Sequence, residues 1–102
     1  MYLFQILLPL YDNDGNPIPQ HEFEQVRDEL AERFGGITAY VRSPAEGLWK
    51  GGTASTVHDD IVIYEVMTGE LDREWWSGYR LGLAARFHQD VLIVRVNEIF
   101  LL

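Results

Sequence analysis

Asp60-Ile61-Val62-Ile63-Tyr64-Glu65-Val66-Met67 is the stretch on which the fold turns. It is almost continuously β-branched and aromatic, the composition that fits a pleated surface. A run without polar alternation marks a strand buried on both faces, and so a central one. Residues 3–9, Leu-Phe-Gln-Ile-Leu-Leu-Pro, are the second run of this kind. Each run is broken once in its middle, by Glu65 in one and Gln5 in the other.

Outward from these two runs, the spacing changes period. Between them, Phe23, Val26, Leu30 and Phe34 recur at helical spacing. This helix is expected to start near Pro19, at the first helical position, with Glu22 and Glu24 in its first turns. Glu29 and Arg33 are expected to pair on its wet side, and Gly35-Gly36 to end it with Gly35 in the left-handed cap. Residues 37–42 then alternate as a strand, and 43–59 form a long loop. Beyond the quoted stretch, 73–87 read as a second helix with Asp72 as N-cap and Leu71 stapled against Trp76. Residues 91–96 read as the last strand. The order β-α-β-β-α-β within 102 residues is the split βαβ arrangement. Right-handed crossovers set the two apolar strands side by side. The expected fold is α+β, a single ferredoxin-like sandwich over residues 1–102. Its four-stranded antiparallel sheet has the order 4-1-3-2, with both helices on one face.

Two helices leave the other face open. Phe4, Ile6, Leu8, Ile37, Ala39, Val41, Val62, Tyr64, Val66, Leu92, Val94 and Val96 are assigned to the helices. The remaining face carries Leu3, Leu7, Ile61, Ile63, Met67, Val91 and Ile93 beside a few polar residues, too apolar for a solvated surface. Pairing with a second copy is the simplest cover. Aligning strand centres sets Arg95, Gln5, Glu65 and Thr38 in one row across the sheet. The next row is Ile93, Leu7, Ile63 and Tyr40. A carboxylate under an apolar lid is costly unless paired. The row therefore reads either as a structural pin for a dimer or as a site, with Glu65 as acid or base, Arg95 as anion anchor and Tyr40 beside them. Arg42 ends the same strand as Tyr40 and Thr38.

Other chemistry is sparse. Trp49 in the long loop is a core plug or a pocket cap, and His58 where the loop re-enters the sheet has no second histidine at metal-binding spacing. Asp12-Asn13-Asp14-Gly15 lacks the full spacing of a calcium loop and reads as a turn. Trp75 and Trp76 point about 100° apart on their helix. Trp76 falls in line with Leu83 and Phe87, Trp75 with Gly78, Gly82 and Ala85, and either tryptophan reads as core packing or a subunit contact. With no cysteine, disulfides, thiolate metal sites and a cysteine nucleophile are excluded. A net charge of −8 argues against nucleic acid and anionic membranes. No metal or cofactor is expected. The apolar start, residues 2–10, lacks a basic flank and reads as a strand rather than a targeting segment, so the expected compartment is the cytoplasm.

Phe34-Gly35-Gly36-Ile37-Thr38, Gly47-Leu48-Trp49 and Phe87-His88-Gln89-Asp90-Val91 resemble the landmarks of small bacterial ferredoxin-like proteins of unknown function, with an FGGxT, GxW and FxQ pattern. The resemblance implies the fold and no catalytic residue. The functional expectation is a homodimeric binding or structural module pairing through its open sheet face, with room for a small-molecule ligand. The alternative is a small cofactor-independent enzyme of the dimeric α/β-barrel type, with a pocket between the sheet face and the 43–59 loop.

Overall fold

The computed structural model describes residues 1–42 and 61–102. Six elements follow in the order β1 (Tyr2–Pro9), α1 (Gln20–Phe34), β2 (Thr38–Arg42), β3 (Ile61–Thr68), α2 (Arg73–Arg86) and β4 (Ile93–Glu98). The fold is α+β, and its sheet runs β2-β3-β1-β4 with antiparallel neighbours throughout. The two apolar runs lie side by side as β1 and β3. Their inward residues Phe4, Ile6, Leu8, Val62, Tyr64 and Val66 share one core with Val26 and Leu30 of α1 and Trp76, Leu83 and Ala84 of α2.

The helix ends are written in local chemistry. Pro19 is the N-cap of α1 rather than its first helical residue; its ψ of 142° is extended, and Gln20 opens the helix. Gly35 closes it at φ 83°, its N–H donating to Ala31 O at 2.7 Å. That left-handed conformation suits a residue without Cβ. Asp72 caps α2 by accepting from Trp75 N at 3.1 Å. At the other end, His88 N donates to Ala85 O at 3.2 Å and Gln89 N to Ala84 O at 2.9 Å. This is the Schellman pattern, with His88 at φ 52° in the place glycine usually takes.

The last strand starts two residues later than its composition suggests. Leu7 pairs with Ile93, a register that would set Pro9 opposite Val91. Proline has no N–H to extend a ladder, and Val91 stays outside β4, 71% exposed. At the far end the pairing continues one step, Ile99 N donating to Met1 O at 2.8 Å. Val96, assigned to the helix side, is only partly covered there.

The expected Glu29–Arg33 pair does not form; each side chain is drawn to α2 instead. Glu29 Oε1 accepts from Tyr79 Oη at 2.7 Å and from Arg86 Nη1 at 2.8 Å. Arg33 lies 4.0 Å from the Trp75 ring centre and 4.0 Å from Asp72 Oδ2. A half-buried acceptor with two donors and a guanidinium on an aromatic face outweigh an exposed pair on one helix. Burial, the Glu29 hydrogen bond and the Glu29 charge all push the Tyr79 hydroxyl well above the usual tyrosine range. Burial works against the charge on Arg86, but the Glu29 carboxylate outweighs it and holds the guanidinium above its ordinary value.

The turn between β1 and α1 folds on its own carboxylate. Asp12 Oδ1 accepts from Asp14 N and Asn16 N, both at 2.9 Å, and Gly15 turns at φ 82°. This inward use of the carboxylate is an Asx turn. The Asn16 N–H is the chief reason the Asp12 carboxyl sits below its ordinary value; slight burial opposes it, and Asp14 adds to the lowering. A carboxyl depressed in the native state stabilises it above the unfolded pKa and loses that contribution as pH falls through the native one. The Asp14 and Asn16 amide resonances are therefore expected to shift in acid with a midpoint below that of a free 11–17 peptide. An equal or higher midpoint would contradict the hydrogen-bond account.

Candidate functional site

The open face of the sheet has a polar centre built by strand alternation. On β1 the side chains of Leu3, Gln5 and Leu7 point away from the helices, because Phe4, Ile6 and Leu8 point into the core. The ladder sets Gln5 opposite Glu65 of β3 on one side and opposite Arg95 of β4 on the other. Thr38 of β2 faces Glu65 across the next gap. The row of four expected from the sequence is therefore the row the register makes. The neighbouring row is Ile93, Leu7, Ile63 and Tyr40, as pairing dictates.

Gln5 connects the two charged residues. Its Nε2 donates to Glu65 Oε2 at 2.6 Å, and its Oε1 accepts from Arg95 Nε at 2.7 Å. A guanidinium only donates and a carboxylate only accepts, whereas a side-chain amide does both. The amide thus joins cation and anion across three strands at the usual strand spacing of about 4.8 Å. Such charge-assisted bonds are the stronger kind. Around the row the face is apolar: Leu3 and Leu7 are half-buried, Ile63 is buried, and Met67 and Ile93 are 51% and 52% exposed.

The remaining sequence candidates are distributed differently. Tyr40 stands opposite Ile63 and Arg42 opposite Ile61 on the ladder. Trp49 and His58 lie outside the described residues. Trp75 belongs to an aromatic group on the helix side, stacked on Tyr79 at 4.8 Å and edge-on to Phe34 and Trp76. It is not brought near the polar row.

A concavity elsewhere on the molecule is not among the sites expected from the sequence. A groove of about 300 Å³ lies where α2 meets the edge strand β4, with Arg73, Trp76, Ser77 and Arg80 on one wall and Val94 and Val96 on the other. The signal was there: positions 73, 76, 77 and 80 share one helical face. Trp76 carries the stronger sequence signal, burial, and the arginines flanking it on that face have the composition of a solvated surface.

No family model matches the chain, and no curated protein sequence does. Among solved structures, the fold is similar to that of a phage SAM lyase in complex with S-methyl-5′-thioadenosine. The TM-score is 0.55 at 17% identity, over 95% of this chain and 80% of that one. At that identity the likeness is one of fold. Among the described residues no helix is long and apolar enough to cross a membrane.

Proposed function

We propose, from that shared fold, that the chain is a ferredoxin-like binding module that pairs with a second copy through its open sheet face and encloses a small-molecule site over the Arg95–Gln5–Glu65 row. The observation that carries this reading is the row itself. Three hydrogen-bonded polar side chains span the sheet between apolar rows. Covering Ile93 and Met67 supplies the hydrophobic drive, at roughly 25 cal/mol per Å² of apolar surface removed from water. The row fixes which register two copies can share, because an offset would leave a charge under an apolar lid. Light scattering is expected to give two copies for the native chain. Ile93→Lys, at a half-exposed position, is expected to give one copy with an unchanged circular dichroism spectrum. A monomeric native chain defeats the reading.

The second reading is a small cofactor-independent enzyme, with Glu65 as acid or base, Arg95 as anion anchor and Tyr40 of the neighbouring row as a third candidate. The structural neighbour, a lyase in complex with S-methyl-5′-thioadenosine, favours it. The two are separated by incubating the protein with SAM and following S-methyl-5′-thioadenosine. An enzyme is expected to form it, and Glu65→Gln to slow it by about a hundredfold or more, the usual worth of a general acid or base. A binding module is expected to show only a ligand-dependent rise in melting temperature.

A further inference from the structure

The groove between α2 and β4 has a distribution of charge at odds with the rest of the chain. The protein carries eight basic and sixteen acidic residues, yet no carboxylate lines this groove, while Arg73 and Arg80 do. The other arginines of the helices are neutralised locally. Arg27 pairs with Asp28, Arg33 with Asp72, and Arg86 with Glu22 and Glu29. Arg73 and Arg80 make no ion pair among the described residues. Arg73 also opens α2, where the helix dipole disfavours a cation. Glu74, beside it, points elsewhere on the helix and is not part of the lining.

The wall opposite is apolar. Val94 is half-buried and Val96 is 37% exposed, so this flank of the sheet is incompletely covered by the helix. Trp76 offers no free ring face, since it is stacked on Phe4 at 4.2 Å and on Phe34 at 5.3 Å. The body of an occupant therefore lies along aliphatic side chains and ring edges rather than in an aromatic sandwich. The arginines are seven residues apart, about 10 Å along the helix. Both arginines and Ser77 line the groove, and side chains of that length can reach across such a span.

We propose that this groove binds a small organic anion, with Arg73, Ser77 and Arg80 holding its carboxylate or phosphate head and Val94 and Val96 its aliphatic body. The volume, about 300 Å³, is at the small end of ligand pockets and holds about ten waters' worth of ligand. The site lies along α2 and does not require pairing across the open face. It meets the polar row at one residue, Arg95, which also lines the groove and whose Nε donates to Gln5.

The test is titration of the full chain, followed by amide and indole NMR shifts, with four probes: octanoate, octyl phosphate, octan-1-ol and inorganic phosphate. Either octanoate or octyl phosphate, or both, is expected to saturate in the millimolar range or below, moving Ser77, Val94, Val96 and the Trp76 indole. Which of the two binds tighter identifies the head group. Octan-1-ol and inorganic phosphate are each expected to bind about tenfold more weakly or worse, since a charge-assisted hydrogen bond is worth that much. Arg73→Gln/Arg80→Gln is expected to weaken the binding anion about tenfold and leave octan-1-ol unchanged. Arg73 is exposed and Arg80 half-buried, and the single Arg73→Gln variant repeats the test if the double variant melts early. Equal binding of octan-1-ol, insensitivity to both variants, or shifts confined to Gln5, Leu7 and Ile93 would each overturn the proposal. So would the absence of saturation by both anions at ten millimolar.

Discussion

Trp76→Ala is expected to cost about 3–5 kcal/mol, the range for truncating a large buried aromatic. Trp76 is 5% exposed and stacked on Phe4 and Phe34, which stand on β1 and α1, with Trp75 and Tyr79 edge-on to it. One indole thus touches the sheet, both helices and the aromatic neighbours that hold Arg33. Aromatic pairs add about 0.5–1.5 kcal/mol beyond their buried area, and three elements cannot all close on the cavity. A domain of this size has a total stability of about 5–15 kcal/mol, so about a fifth or more of it goes with this side chain. Urea denaturation checks the value; a loss below about 1 kcal/mol would mean that the stack does not hold the layers together.

The second large effect belongs to Arg86. Its Nη1 meets Glu29 at 2.8 Å and its Nε lies 3.7 Å from Glu22, while its buried Nη2 has no hydrogen-bond partner among the described residues. The Arg86 and Glu29 side chains are 26% and 37% exposed. That places the pair between surface bridges, worth about 0–1 kcal/mol, and buried ones, where removing one partner costs about 3–5. Arg86→Ala is expected to cost about 2 kcal/mol, part of it lost packing of the arginine stem. The informative variant is Arg86→Met with Glu29→Leu, which removes both charges and keeps the volume. It is expected to recover part of the loss, because Glu29 is no longer left without its guanidinium, while Glu22 and the Tyr79 hydroxyl each still lose a partner. A double variant as unstable as Arg86→Ala would show that the pair itself, rather than the penalty for breaking it, stabilises the helix contact.

Much of this architecture was legible because period and polarity agreed. The two apolar runs gave adjacent strands, and alternation along them gave a register good enough to set Gln5 between Arg95 and Glu65. What escaped notice was set by partners far apart in sequence. Glu29 has Arg33 four residues on, yet it turns to Tyr79 and Arg86, fifty and fifty-seven residues away. Only the packing of α1 on α2 makes that choice available. Val91 has every mark of a strand residue and is kept out by the proline opposite. Pro19 fits two adjacent helix positions on composition alone, and its extended ψ decides between them. The groove was missed because arginines on a helix face usually read as solvated. Only the uncovered edge of β4 turns that face into a concavity.

The Schellman turn after α2 reaches beyond its own helix. His88 O accepts from Asn13 N at 3.2 Å, and Gln89 Nε2 donates to Tyr11 O at 2.9 Å. The two crossovers of the chain are thereby latched to each other at one end of the sheet. Fraying at the close of the second helix removes both of these ties to the Asp12 turn, so the two segments are expected to exchange their amide hydrogens together. A chain whose ends of folding lie nearly eighty residues apart is, at this corner, timed by one clasp.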